Sequence, residues 1–390
     1  MINELRLLNF KAFRSVAIPL APVTLLTGLN SSGKSTVLQA LALLRQSFEA
    51  GMTHPTDETM DPEHFGGLML DGDLVELGTG QDVLHEDFEL VDLTPDPLIS
   101  VGYRMTDGRS HEWTVQYAAE QDVLPAKGFH AADEPFPEVE RHDAPLFFAG
   151  FQYLKADRIV PATTYPRSHR EAVGRGFLGP RGEHTINFLR HYGQGIVPEG
   201  PLRHPEARAH TLLDQVVAWM QELCPGVNLE AHEIPGVDSV RLSYGFGGTT
   251  GLDSSRRRRP TNVGFGLTYA LPIVVACLSA TRDSLILLEN PEAHLHPRGQ
   301  SRMAALVAAA AASGAQLIVE THSDHVLNGL RIAVKNKRIA ASDTAVHFFR
   351  RGGGDKAEIV TPRMGDDGML SEWPDGFFDE WESSLDQLLD

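Results

Sequence analysis

Gly28-Leu29-Asn30-Ser31-Ser32-Gly33-Lys34-Ser35-Thr36 reads G-x-x-x-x-G-K-[ST], and with its flanks it restricts the possible folds more than any other stretch. The run before it, Val23-Thr24-Leu25-Leu26-Thr27, has the length and β-branched content of a buried strand. The run after it, Val37 to Leu44, is rich in Leu, Ala and Gln and suits a helix. Strand, glycine loop and helix in that order make a phosphate cradle. Gly28 and Gly33 let the backbone turn its N–H groups inward, and the helix N-terminus adds a favourable dipole. In such a loop Lys34 reaches the β- and γ-phosphates, Ser35 ligates magnesium, and Asn30, Ser31, Ser32 and Thr36 complete the nucleotide-binding set. The expectation is a nucleoside triphosphate with Mg2+ on an α/β fold.

The 390 residues leave room for two or three lobes, with 42% hydrophobic and 22% charged residues as in globular proteins. No apolar run reaches membrane-span length and Met1 to Arg6 lacks a signal-peptide layout, so a cytoplasmic protein without membrane contact is expected. Cys224 and Cys277 both read as core residues in apolar helices, which argues against a disulfide framework. A formal charge of −18 repels phosphate backbones, so contact with DNA needs a local basic patch. Two stretches qualify: the zone Lys155, Arg158, Arg167, Arg170, Arg175, Arg181 and Arg190, and the run Arg256 to Arg259. Solvation or pairing with the protein's own acids is the competing reading of both.

Residues 2 to 20 alternate as strand, turn, strand, with Phe10 and Phe13 reading as core. Residues 51 to 150 fit an antiparallel sheet with long loops, with strands expected at Asp87 to Val91 and Leu98 to Tyr103 and an acidic, proline-rich surface loop over 120 to 147. Helical patterning covers Glu183 to Tyr192 and Pro205 to Glu222, and strands with glycine turns return from Val227. Buried strands at 285–288, 316–319 and 345–349 then alternate with helices at 261–280, 298–312 and 324–335, the pattern of a largely parallel sheet. The divisions read from this are 1–182, a lobe with the glycine loop and a β subdomain; 183–226, a short helical arm; and 227–390, a second lobe.

Three further stretches carry chemistry. Leu285-Ile286-Leu287-Leu288-Glu289 is an apolar strand ending in an acid, and a hard cation needs a carboxylate at such a mouth, so Glu289 is the expected magnesium residue. His322 lies just past the strand Gln316 to Val319, where it can bond a γ-phosphate or an attacking water. Thr261-Asn262-Val263-Gly264-Phe265-Gly266 opens a helix, and its bare glycines leave N–H groups free for an anion. His294, His296, His322 and His325 could suggest a transition-metal site, but a magnesium–nucleotide site explains their position.

The order of these elements, with E-N-P-E-A-H-L-H-P from Glu289, N-V-G-F-G from Asn262 and T-H-S-D-H from Thr321, resembles the OLD-like ABC-type ATPases of the SMC, RecF and OLD kind. Within them it is most similar to the group with a C-terminal W-P-x-G-F-F-D signature, here Trp373 to Asp379. The resemblance covers both ends and the core, and is weak over 51–150. It implies an ABC-type P-loop head: a mixed or parallel sheet flanked by helices, an antiparallel β lobe and a short helical arm. It also implies ATP and Mg2+ as cofactors, Asn9 to Phe13 beside the nucleotide, Gln81 as a third magnesium contact, His322 as switch histidine, and Gly264 and Gly266 as the signature that meets the γ-phosphate on a second copy. ATP would then join two copies head to tail, often to control a separate effector such as a nuclease in bacterial anti-phage defence.

Two departures matter. Such ATPases usually follow the magnesium acid with a glutamate base; here Asn290 stands there, and an amide cannot take a proton from water. Losing a positioned base costs about 10²- to 10⁴-fold, roughly 3 to 5 kcal/mol of barrier. Either Glu292 or His322 substitutes, or hydrolysis is slow, which is the favoured expectation. The signature also lacks its usual serine, so Asn262 or Thr261 supplies any side-chain contact. The alternatives are a DNA repair or surveillance ATPase that touches DNA directly, and a nucleotide-binding scaffold with little turnover. A nuclease within the same chain, as in OLD nucleases, is not expected in the short stretch after Val360, and a transporter subunit fits the signature poorly.

Overall fold

The computed structural model describes every residue except 53–66, 91–95, 127–143, 248–256, 353–356, 375, 379–384, 386 and 389–390. In chain order come β1 (Ile2–Phe10), β2 (Phe13–Pro19), β3 (Val23–Gly28), α1 (Lys34–Glu49), β4 (Gly67–Met69), α2 (Gly80–Val83), β5 (Leu98–Met105), β6 (Ser110–Gln116) and β7 (Val123–Pro125). There follow β8 (Gln152–Leu154), β9 (Tyr165–Pro166), α3 (Thr185–Tyr192), α4 (Leu212–Leu223), β10 (Val227–Glu233), β11 (Ser239–Phe246) and α5 (Phe265–Ser279). The last are β12 (Leu285–Glu289), α6 (Pro297–Ala312), β13 (Gln316–Glu320), α7 (Asp324–Lys335), β14 (Thr344–Arg351) and β15 (Ala357–Val360). They form two compact units, each discontinuous in sequence: Met1–Ala21, Gly28–Phe148 and Phe348–Val360 make one, and Pro22–Thr27, Ala149–His347 and Thr361–Asp390 the other.

In the first unit an antiparallel sheet runs β2-β1-β5-β6 and a smaller one pairs β4 with β7. Leu5 faces Ile18 on one side and Tyr103 on the other, and Leu7 faces Val16 and Val101, so the period-2 apolar set of β1 is buried. Phe10 and Phe13 are buried as expected. Helix α1 is buried nearly all round, polar residues included, with Leu38, Leu41 and Leu44 fully covered. Its Gln46, 5% exposed, organises the loop that follows β4. The amide donates to the carbonyls of Met69 and Val75 and accepts from the N–H groups of Leu74 and Val75.

The second unit is built on parallel strands in the order β3-β13-β12-β8, with β14 beside β3. Leu25, Leu26, Leu285 to Leu288 and Leu317 to Val319 are buried, the continuous apolar runs of a covered parallel sheet. Helix α5 packs on β8 and β12, and α6 on β13. Register places Leu26 of β3 opposite Glu320, and Glu320 opposite Glu289, so β12 and β13 end together beside the C-terminal part of β3. A second, antiparallel sheet orders β10-β11-β9, and α3 and α4 pack against α5 and β10. The expected mixed α/β class is the class observed.

Three local expectations are corrected and one strand is added. Residues 87–90 form a turn and irregular chain in place of a strand. The reason is the buried amide of Asn9, which donates to Glu89 O and accepts from Glu89 N, taking the place of a strand neighbour. Val91 lies outside the described residues. Helix α4 begins at Leu212 rather than Pro205, because Thr211 caps it by accepting from Asp214 N. Cys224 is the half-buried residue that ends α4, and only Cys277 is a core thiol. Finally β8, short and unread in the sequence, lies beside β12.

Candidate functional site

The glycine loop belongs to the first unit. Gly28 has φ +126, and a Cβ there would lie 2.0 Å from the carbonyl oxygen of Phe349, which also accepts from Leu29 N at 3.2 Å. Gly33 has φ +103, and its Cβ would lie 2.7 Å from the ring of Phe13. Both positions therefore need glycine for backbone angle and for space. Phe13, itself packed edge-on to Phe349 at 6.3 Å, is the floor under Gly33. Lys34, 3% exposed, starts α1 and donates Nζ to the carbonyls of Gly28 and Leu29 at 3.1 and 2.6 Å, while Ser32 Oγ donates to Leu29 O. Helix α1 has no acid in its first turn and no side-chain cap, so the N-terminal dipole is uncompensated there. Gln81 sits on the four-residue α2 with an exposed side chain.

The acidic strand end and its neighbours belong to the second unit. Glu289 Oε1 accepts from the Tyr153 hydroxyl at 2.5 Å and Oε2 from Ala156 N at 2.9 Å. Burial, and next the charge of Glu289, push the Tyr153 phenol well above its usual range, so it remains a donor to the carboxylate. Asn290 adopts φ +44; its N–H donates to Glu320 O at 2.9 Å and its carbonyl accepts from Ala293 N at 3.1 Å. Glu292 Oε1 accepts from His322 N at 2.7 Å, so the two candidate bases adjoin. Ser323 caps α7 by accepting from Val326 N, and His296 Nδ1 caps α6 by accepting from Arg298 N. The signature glycines differ from each other: Gly264 has open space where a Cβ would go, whereas a Cβ on Gly266 would meet His294 O at 2.5 Å. Asn262 and Thr261 are exposed ahead of α5.

The largest gap in the sequence reading is the segment 153–158. Arg158, read there as part of a basic surface zone, is 1% exposed. It donates Nη1 to Glu289 O at 2.6 Å and Lys155 O at 3.0 Å, and Nη2 to Asn290 O at 2.7 Å. Burial pulls its guanidinium down to about 10. No local pattern announces this: a buried arginine among other arginines looks like a surface one. The other arginines of the zone are occupied nearby, Arg170 and Arg175 by Glu171, Arg181 by Asp157, and Arg167 and Arg190 by Glu233. In the second run Arg257 pairs with Glu230 and Arg258 lies over Phe246, while Arg256 falls outside the described residues.

One observation in each unit fits part of a phosphate ligand with its cation: a phosphate at the loop and a cation at the acidic strand end. The loop is closed to side chains at Gly28 and Gly33, and buried Asn290 Oδ1 and Glu292 Oε2 have no hydrogen-bond partner among the described residues. No group of three His, Cys, Asp or Glu able to hold a metal occurs among those residues. A cation at the acidic strand end would therefore rest on one or two protein oxygens, with its other ligands from outside the protein, the habit of Mg2+. Near the C-terminus Phe377 is fully buried with Trp373 at 4.7 Å, and Arg331 of α7 lies over the Trp373 ring. Asp375 and Asp379 lie outside the described residues.

A family model described as "AAA ATPase domain" matches residues 1–83, which hold the whole glycine loop. Loop, parallel sheet and match together define an ATPase of the AAA class. More particularly, a model described as "AAA domain, putative AbiEii toxin, Type IV TA system" matches residues 127–328. Since that is more than half of the chain, the protein belongs to that family. Residues 339–388 match a model described as "Protein of unknown function (DUF3696)". No curated protein matches. Similar solved structures include an SMC head bound to the C-terminal winged-helix domain of ScpA, at 14% identity and TM-score 0.48, covering 93% of this chain and 98% of that one. An SMC head from Thermotoga maritima has 13% identity and TM-score 0.45 over 92% and 98%. An SMC head bound to a ScpA domain, derived from Pyrococcus furiosus, has 13% and 0.44 over 100% and 99%. Among the described residues no helix is long and apolar enough to cross a membrane.

Proposed function

We propose that this ATPase works as a slow ATP-driven switch, in which two copies close head to tail around ATP and Mg2+ and the closed dimer regulates a separate effector. The observation that carries the reading is Asn290, an amide directly after the acidic strand end, with its backbone held on both sides. In this reading Lys34, Asn30, Ser31, Ser32, Thr36 and the loop N–H groups bind the phosphates, and Ser35, Glu289 and Gln81 hold the cation. Asn262, Gly264 and Gly266 of the other copy approach the γ-phosphate. Bound Mg2+ supplies charge neutralisation on the β- and γ-oxygens. Glu292, hydrogen-bonded through Oε1 to His322 N, has a second, buried carboxylate oxygen without a hydrogen-bond partner among the described residues, which would accept a proton from a water admitted on closure. With Asn290 unable to do so, release is slow and the closed state long-lived.

The OLD-like resemblance and the toxin named in the family description both support anti-phage defence as the setting. Light scattering with and without ATP and Mg2+ tests the switch. The expected result is a shift from monomer to dimer that persists in Glu292→Gln; a mass that ATP never changes, in either protein, overturns it. The same Asn290 favours a second reading, a scaffold with negligible turnover. Phosphate release that Lys34→Ala leaves unchanged from background would establish the scaffold. Direct DNA binding is the less supported alternative, since most arginines of the first basic zone are buried or paired with acids.

A further inference from the structure

Arg158 lacks a carboxylate partner within salt-bridge reach among the described residues, yet it is almost fully buried. Backbone carbonyls hold its two terminal nitrogens and an aromatic face covers it instead, while its buried Nε has no hydrogen-bond partner among the described residues. Its fork holds the carbonyls of Glu289 and Asn290, and its guanidinium carbon lies 5.3 Å from the ring centroid of Tyr269. Tyr269 stands on α5, one turn beyond Phe265, the first helical residue. Its ring meets His294 edge-on at 4.7 Å, and Phe265 reaches the same histidine at 5.6 Å. The His294 carbonyl closes the circuit against Gly266. The start of α5 and the segment 289–294 are thus joined directly at His294 and again through the Tyr269–Arg158 stack. A lysine could not do this, because it offers neither a planar fork for two carbonyls nor a flat face for the ring.

We infer that Arg158 is a positioning residue that couples the start of α5 to the Glu289–Asn290 strand end, so that movement of one is felt at the other. The inference deepens the switch reading and rests on it for its consequence: engagement of α5 by a second copy would adjust the acidic strand end through Tyr269 and Arg158. Groups that orient the ligands of a cation typically matter tenfold to hundredfold when lost.

The test uses Tyr269→Leu, which removes the ring but leaves the fork, with Tyr269→Phe as the conservative variant and Arg158→Lys as a second route. Hydrogen exchange on the nucleotide-free protein reads the amides of Ala293 and Leu295, which close the turn after Asn290. The expected result is at least tenfold faster exchange there in Tyr269→Leu and Arg158→Lys, rates near wild type in Tyr269→Phe, and no change in β10 and β11. Turnover should fall tenfold to hundredfold in the first two with ATP affinity changed less than about threefold. Unchanged exchange in Tyr269→Leu overturns the coupling, as does acceleration spread evenly over the unit, or full turnover. Should the wild-type protein release no phosphate, the switch reading loses its turnover while the exchange measurement still decides the coupling.

Discussion

Replacing Asn290 by glutamate returns a carboxylate to the position that follows the acidic strand end. A positioned general base contributes about 10²- to 10⁴-fold, or roughly 3 to 5 kcal/mol of barrier. The backbone at 290 is held by Arg158 Nη2 on its carbonyl, by its own N–H on Glu320 O and by Ala293 N on the same carbonyl, so the new side chain leaves from the same place. Two effects oppose the gain. Asn tolerates φ +44 better than Glu does, a difference of about 1 kcal/mol in stability. The new charge also adjoins Glu289 and Glu292, partly offset by the Arg158 cation. Turnover should therefore rise by roughly ten- to hundredfold, below the full value of a base. Steady-state phosphate release alongside a nucleotide-binding titration measures it. A variant that binds ATP as wild type does and turns over no faster refutes the argument that the amide limits hydrolysis. Adding Glu292→Gln to both proteins then separates the two bases: loss in the Asn290 protein but not in the glutamate variant identifies Glu292 as the natural substitute.

Gly28→Ala should cost roughly 2 to 4 kcal/mol, combining strain at φ +126 with a weakened Leu29 N to Phe349 O bond, whereas Gly51→Ala, at φ +76 with nothing within 4 Å, should cost about 1; equal losses in denaturant melts would contradict the close approach. Gln46→Leu leaves two N–H groups and two carbonyls of the 69–75 loop without their partner and should destabilise by at least about 2 kcal/mol, read in the same melts. Burial, reinforced by Arg109, lowers the pKa of His111, so the unfolded chain binds its proton first. That residue's contribution is lost as pH falls through about 6.5, and His111→Gln should flatten the decline in melting midpoint below that pH relative to wild type. Burial pushes the Cys277 thiol up to about 12, leaving almost no thiolate at pH 8, so it should react with a thiol reagent only on unfolding while the half-buried Cys224 reacts sooner.

Much of the candidate site lay in contiguous stretches and was legible for that reason. The glycine loop needs local turns that only glycine makes cheaply, and a strand that ends in Glu289 shows its length and its acid in one run. Asn290 could be recognised because its neighbours set the frame in which an amide is out of place. The segment 153–158 was not legible. Strand β8 has three residues, too few for a period, and Tyr153, Ala156 and Arg158 acquire their roles only because β8 pairs with β12. Asn9 likewise stands in for a strand neighbour at Glu89, which no alternation of residues 87–90 could reveal.

The sequence by itself determined the phosphate loop, the order of strands and helices, and which side chains stand at the strand ends, since each follows from backbone preference and apolar period over a few neighbouring residues. Tertiary structure alone decided that Leu26, Glu320 and Glu289 stand in register on three neighbouring strands, and that Arg158 is a buried clasp and not a charge offered to nucleic acid. The physical reason is the same in both cases. Pairing between strands and the desolvation of a cation depend on what is packed alongside, and for Arg158 those carbonyl partners lie more than a hundred residues away in the chain.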